Sequence, residues 1–331
     1  MFNHESLDHS QPSIRLLTIS PILSAEGLIQ CSISHTTIDH APYRCLSYAW
    51  GDPEPKQLVL MNGGYFYVQP NLFEFLKVTR ADTARTTHRY WIDAVCIDQN
   101  NTPERNYQVM QMGRIYSGAE TVIAWLGPAS QETVLHYHGI LQIPLDDPNL
   151  RRLMKTTVYN DLAGNQYWTR AWITQELILA RRISVAIGSL TFTINKLLEM
   201  VRAIGFAFAR REAVSQVSAL GSSSHIIVGN PLASLLLTFR DKRCSVARDR
   251  VFSLLALCSE TNAITVDYGC SGFELVYSIM KSNEHTLCAC STLVLCPRSW
   301  TGTDGSMTSI RVGYGNWDIN AAESALEESA F

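Results

Sequence analysis

Charge is scarce in this chain: Asp, Glu, Lys and Arg make up 17% of its 331 residues, against ~25% in an ordinary globular domain. The net charge is −3, and the 27 basic residues are scattered, with pairs such as Arg151-Arg152 and Arg181-Arg182 as their tightest clusters. That distribution lacks the basic footprint of a nucleic-acid binder and the polybasic patch that holds a protein to an anionic membrane. Long apolar runs are also missing. The longest are five residues, Val122–Leu126 and Leu254–Cys258, where a spanning helix needs ~20. Met1–Gln11 is polar and lacks the charged and apolar regions of a signal peptide. The nine cysteines have no disulfide-framework spacing, and Cys288, Cys290 and Cys296 do not make a metal-site pattern. There is no phosphate-loop pattern, no dinucleotide glycine fingerprint and no internal repeat. These absences predict a soluble, cytoplasmic protein with reduced thiols, no metal, no required cofactor, and neither nucleic acid nor membrane as a partner.

What is present is an alternation of short apolar segments with helical patterns. Ile14–Ile19, Gly27–Ser34 and Tyr43–Trp50 read as strands, and Gln57–Met61 with Tyr65–Gln69 as a hairpin around Asn62-Gly63-Gly64. Asn71 is placed to cap a helix running to about Arg80 with Leu72, Phe75 and Leu76 on one face. Tyr90–Val95 and Thr121–Leu126 read as central, neighbouring buried strands. Thr102-Pro103 starts a helix whose Val109, Met112, Tyr116 and Ala119 form one stripe. Helices follow over Trp168–Arg182, Asn195–Arg211, Pro231–Arg240, Arg250–Cys258 and Phe273–Lys281, with strands at Ile183–Ile187 and Ile264–Tyr268. The pattern predicts an α/β fold with three layers and a mostly parallel central sheet. An N-terminal β extension precedes it over 1–42 and a mainly helical region follows over 191–296, with a flexible break at Gly221–Ser224. From Pro297 to Phe331 the chain is expected to be irregular.

Three segments concentrate polar and aromatic side chains. Tyr43–Asp52 ends a strand with Ser47, Trp50 and Asp52, and ligands in open α/β sheets bind beyond the carboxyl ends of strands. The plainer alternative is a packed Trp50 and a turn-capping Asp52. Trp91–Gln99 carries Asp93 and Asp98; a carboxylate inside an apolar strand must pair with a base, bond backbone amides or face a ligand. Glu104 is explained by the positive end of a helix. In Tyr167–Leu177, Trp168, Trp172 and Glu176 are spaced by four and share a face if the segment is one helix. That face either stacks a planar ring above a carboxylate, or is core with Glu176 paired to a nearby arginine.

At these residues the chain resembles the fungal heterokaryon incompatibility (HET) domain. The resemblance is carried by Ser13–Leu17 (SIRLL), Tyr43–Asp52 (YRCLSYAWGD), Trp91–Gln99 (WIDAVCIDQ), Glu104–Tyr116 (ERNYQVMQMGRIY) and Arg170–Glu176 (RAWITQE). Ala247–Leu257 (ARDRVFSLLAL) and Val266–Tyr268 (VDY) resemble the region that follows the domain. On this resemblance the HET domain spans 43–190. The family implies an effector of programmed cell death in allorecognition between fused fungal cells. The domain has been likened to the Toll/interleukin-receptor (TIR) fold, so a TIR-like core is implied. In its NAD-cleaving members a helix with a Trp and then a Glu supplies the catalytic carboxylate. Trp172–Glu176 is similar to that element, which makes Glu176 the implied catalytic residue and NAD the implied substrate. Near Cys296–Asp304 the chain departs from the family's Pro-Ser-Trp and Pro-Asp-Trp elements. That departure leaves open a truncated, frame-shifted or mis-spliced gene product.

Two functions follow from the resemblance. As an NAD glycohydrolase, the chain would use Glu176 as the charge-stabilising carboxylate, Trp50 or Trp172 to stack a ring, and Ser47 or Asp52 to bind ribose. As a non-enzymatic signalling module, it would self-associate or bind an upstream incompatibility sensor acting in trans, with Glu176, Asp93, Asp98 and Arg170 structural. The enzyme reading expects Ser47, Trp50, Asp52 and Glu176 in one cleft, with Glu176 partly accessible.

Overall fold

Strand segments from both halves of the sequence build one nine-stranded sheet in the computed structural model. The model describes residues 1–144, 147, 162, 164–204, 227–259 and 264–282, all within one unit, Met1–Pro297. The strands are β1 (Ser13–Leu23), β2 (Ile29–Thr37), β3 (Arg44–Tyr48), β4 (Gln57–Met61), β5 (Gly64–Val68), β6 (Tyr90–Trp91), β7 (Thr121–Trp125), β8 (Ile183–Ile187) and β9 (Leu190–Thr193). Their order is β5-β4-β2-β1-β6-β3-β7-β8-β9. The sheet is mixed, not mostly parallel. β6-β3-β7-β8 run parallel at its heart, as does the β2–β4 pair, while β1–β2, β1–β6, β4–β5 and β8–β9 are antiparallel. The N-terminal strands extend the same sheet, joined to its centre where Leu17 faces Tyr90. The hairpin between β4 and β5 forms with Asn62 and Gly63 both at positive φ, the geometry a two-residue turn of this kind demands.

Several sequence expectations are corrected by tertiary contacts. The segment expected as one strand over Tyr90–Val95 is a strand only to Trp91. The Asp93 carboxylate then accepts the Ala94 amide at 2.7 Å, and the chain turns into a one-turn helix, Asp93–Cys96. β6 and β7 are not neighbours, because β3 lies between them and pairs with both through Arg44. Asn71 does not cap its helix. The helix (α1, Pro70–Arg80) is entered at Gln69 with Pro70 in its first turn. Asn71 instead donates to the Ala49 carbonyl at 2.5 Å and accepts from Trp125 Nε1 at 2.9 Å. The long helix Thr102–Gly118 is capped by Asn101, whose side chain accepts the Glu104 amide, so Thr102 lies inside the helix. Ile264–Tyr268 is not a strand, and the helix expected over Arg250–Cys258 is Asp249–Phe252 followed by turns. The break at Gly221–Ser224 and the tail 297–331 lie outside the described residues. No helix among the described residues is long and apolar enough to cross a membrane.

Consecutive residues of a strand point to opposite faces, and the ring contacts follow that rule. Tyr90 meets Phe75 of α1 edge-on, whereas Trp91 meets Tyr116 of the helix Thr102–Gly118. Along β3, Cys45 and Ser47 share the Tyr116 side. The Cys45 thiol donates to the Ile115 carbonyl on that side, and the hydroxyl of Tyr43, just before the strand, donates to it too. The region after 227 packs on the same helix. A Cβ placed on Gly113 would sit 2.4 Å from the Ala256 Cβ, so only glycine admits this approach. Tyr268 receives the Arg105 guanidinium 4.0 Å from its ring centre, and its amide donates to Asn106.

Candidate functional site

The period of β3 delivers Ser47 to the face of the sheet covered by the helix Thr102–Gly118, fully buried. Its hydroxyl donates to Glu176 Oε2 and lies 2.6 Å from the Tyr167 hydroxyl. Glu176 sits on a short helix, Ile173–Ile178, all of whose residues are buried. The Tyr116 hydroxyl lies on the same side and favours the ionised carboxyl. Thus 129 positions of sequence separation close into one hydrogen bond. The expected partial accessibility of Glu176 is not met: the residue is 2% exposed.

Burial pushes the Glu176 carboxyl up to about 7. The Arg170 cation and the Ser47 bond oppose that rise, and the Asp93 charge adds to it. No basic nitrogen among the described residues comes within ion-pair distance of Glu176. Arg170 instead donates to the Tyr48 carbonyl and is drawn on by both Glu176 and Asp93. Trp50 Nε1 donates to Asp93 Oδ2 at 3.0 Å. Asp93 is half-buried, and desolvation raises its pKa against the pull of Arg170 and the Trp50 bond. Trp50 and Arg170 are also half-buried, so partly exposed side chains border the enclosed Ser47–Tyr167–Glu176 group.

The single helical face expected for Trp168, Trp172 and Glu176 does not form. Gln166–Thr169 is a 3-10 turn, Arg170 is extended, and the α-helix begins at Ile173. The interruption has a tertiary cause. Arg170 bridges in parallel with Arg243, whose amide donates to the Thr169 carbonyl at 2.7 Å and whose carbonyl accepts from the Ala171 amide at 2.8 Å. Trp168 is buried, with its indole on the Leu162 carbonyl at 2.6 Å. Trp172 favours the ionised form of Asp249, which accepts from the Tyr268 hydroxyl at 2.7 Å. Trp172 is therefore engaged by the later region of the chain. Asp52 is exposed, and no hydrogen bond among the described residues ties it to the cluster.

Asp98 and Glu104 belong to a different network. Glu104 holds Arg15 in a bidentate pair at 2.6 and 2.8 Å, with both side chains at most 2% exposed, and also accepts the Asp98 amide at 2.7 Å. Burial works to raise the Glu104 pKa, but the Arg15 and Asp98 bonds overcome it and hold the carboxyl below its usual value.

Sequence reading missed three residues of the cluster. Tyr167 lies inside the richest motif, and its neighbour Trp168 drew the attention. Tyr116 reads as one more apolar position of a helical stripe. Lys242 carries no motif at all. It is 5% exposed, donates to the Trp168 carbonyl at 2.7 Å, and is pulled down to about 7 by burial, with Glu176 favouring its charged form and Arg170 opposing it. Among the described residues no group of three His, Cys, Asp or Glu side chains is placed to hold a metal ion.

Comparison with known proteins locates this cluster within a family segment. No solved structure matches the chain. Heterokaryon incompatibility protein 6, OR allele, of Neurospora crassa is 31% identical over 147 residues, 40% of this chain and 22% of that protein. The chain therefore matches about a fifth of the length of this curated relative. Residues 43–176 match the family model of the heterokaryon incompatibility protein (HET). The segment from Tyr43 to Glu176 is thus similar to the HET family, and it contains every residue of the buried cluster except Lys242.

Proposed function

We propose that this chain acts in heterokaryon incompatibility as an effector of programmed cell death, and that it does so by cleaving NAD at the Glu176 site. The observation that carries the proposal is the convergence of Ser47, Tyr167, Arg170 and Glu176, far apart in sequence, inside the HET-matched segment. In this reaction the bond between nicotinamide and ribose C1′ breaks, and nicotinamide leaves with the bonding pair. Water adds to the oxocarbenium carbon and releases a proton. A carboxylate beside that carbon stabilises its positive charge, which is the role of Glu176. Trp50, half-exposed and held by Asp93, offers a ring for stacking. Substrate approach would run past Trp50, Asp93 and Arg170, with local opening over Glu176. A TIR-like, three-layer core is part of the proposal, as are a cytoplasmic location, self-association and an upstream incompatibility sensor acting in trans.

One observation favours the second reading, a non-enzymatic signalling module: Glu176 is enclosed and already hydrogen-bonded. The deciding experiment incubates purified protein with NAD and follows nicotinamide release. Release that disappears in Glu176→Gln supports the enzyme. A wild-type protein that is toxic on expression yet releases no nicotinamide supports the signalling module.

A further inference from the structure

Ser47 stands between two groups delivered from elsewhere in the chain. Its hydroxyl donates to Glu176, and its oxygen lies 2.6 Å from the Tyr167 hydroxyl. All three side chains are buried. A serine hydroxyl has one hydrogen to give and two lone pairs that accept. With that hydrogen on Glu176, the contact with Tyr167 is a bond in which the phenol donates. The bonds therefore run one way, from Tyr167 to Ser47 to Glu176. Reversing them requires a protonated Glu176 donating to Ser47, and Ser47 donating to Tyr167. The Tyr167 hydrogen would then have no acceptor among the described residues, and a buried donor without a partner is unfavourable. The turn that presents Tyr167 is held on both sides. The Asn165 side chain accepts the Tyr167 amide at 2.9 Å and donates to the Leu126 carbonyl, just past β7, at 3.0 Å. The Lys242 ammonium and the Arg243 amide take the Trp168 and Thr169 carbonyls.

We propose that Tyr167 and Ser47 form a one-way hydrogen-bond relay that orients the Glu176 carboxylate and favours its ionised form, with Tyr167 a positioning residue that acts only through Ser47. A hydroxyl that accepts one bond is polarised and donates the next more strongly, so the Tyr167 bond strengthens the Ser47 bond. The relay also removes Ser47 from the groups that bind ribose. Its hydrogen is committed to Glu176, and its side chain is enclosed. Other groups act on the same carboxyl. They are Cys45 and Tyr48 from β3, Tyr116 from the long helix, Asp93, Arg170, and Lys242 from the region after 227. Among the described residues none of them bonds the Ser47 or Tyr167 hydroxyl, so a change in the relay leaves them in place.

The relay's catalytic meaning rests on Glu176 being the site carboxylate, but its test needs no substrate. The Glu176 carboxyl carbon is titrated by NMR in the full chain, free of NAD, as a double-mutant cycle of Ser47→Ala and Tyr167→Phe. Ser47→Ala should raise the Glu176 midpoint by about one pH unit. Tyr167→Phe keeps the ring and loses only the hydroxyl; it should raise the midpoint by about 0.3 pH unit. In the Ser47→Ala background Tyr167→Phe should add nothing, because its path to Glu176 is gone. A Tyr167 that merely fills space would shift the midpoint in neither background, and one that acts directly on Glu176 would shift it equally in both. Either result overturns the relay. If Ser47→Ala does not fold, Tyr167→Phe decides alone: a raised midpoint supports the relay and an unmoved one overturns it. A wild type that releases no nicotinamide from NAD sinks the proposed reaction, while this cycle still decides the relay.

Discussion

Two buried acid–base clusters stand on the same side of the molecule's chemistry and behave oppositely. Around Arg15 and Glu104 every charge is matched. The guanidinium holds both carboxylate oxygens and the Cys96 and Glu5 carbonyls, and the carboxylate also takes the Asp98 amide. Its pKa falls. Around Glu176 the charges are present without direct pairing. The carboxylate is met by the Ser47 hydroxyl, while Arg170 and Lys242 spend hydrogen bonds on carbonyls. Its pKa rises to about 7. Burial is shared; direct ion-pair geometry separates a clamp from a titrating group. The first cluster ties β1, the turn after Asp93 and the start of the long helix together. The second has the neutral-pH ionisation expected of a working acid or base.

Breaking the clamp gives the largest expected effect. Glu104→Ala strands the buried Arg15 guanidinium and should cost ~3–5 kcal/mol of stability, read by chemical denaturation. Because the Glu104 pKa is lowered on folding, its contribution is present above the unfolded carboxyl value and is lost as pH falls through the folded one. A variant as stable as wild type would show that Arg15 finds other partners and would erase the contrast.

Next comes the Glu176 cluster. If Glu176 serves as the site carboxylate, Glu176→Gln should lower NAD cleavage by ~10²–10³-fold while the protein still folds. In the wild type the rate should climb with pH through about 7, as the carboxylate form appears. Full activity at pH 5 would disconnect this group from the chemistry.

The same substitution sharpens the comparison through stability. The folded pKa of Glu176 lies above its unfolded value. Its contribution is therefore complete below about 4.5 and is lost as pH rises through about 7. Glu176→Gln should remove that slope, so unfolding free energies of the two proteins should diverge across this window. Parallel curves would mean that the carboxyl ionises normally.

The smallest effect is expected at the border of the cluster. Trp50→Phe removes the hydrogen bond to Asp93 and should cost about 1 kcal/mol, with a rise in KM if the indole stacks on substrate. A loss several times larger would make Trp50 part of the core and not of an approach.

Legibility from sequence followed the range of the interactions. The hairpin over Gln57–Val68 was readable because its turn residues adopt positive φ locally. β7 and β8 were readable because short, mostly apolar runs mark strands in the interior of a sheet. The Trp168–Ile178 segment was misread, since its spacing favours a continuous helix and only Arg243 interrupts it. Of the alternatives the sequence leaves open for Asp93, the structure shows a bond to a backbone amide, which starts a helix and ends the strand, and the side chain is half-buried. Asp52 and Trp172 were gathered with Glu176 by proximity to motifs; one is exposed and the other favours the ionised form of Asp249.

The sequence by itself determined which residues carry charge, which segments are apolar enough to form a sheet interior, and which exact strings resemble a known family. Those properties are local, fixed by side-chain chemistry and the two- and four-residue periods of strand and helix. Only the tertiary structure decided that Ser47 meets Glu176, that Arg15 meets Glu104, and that Lys242 joins the cluster from outside the matched segment. A carboxylate's pKa depends on what lies within a few ångströms once water is excluded, and folding chooses those neighbours from anywhere along the chain.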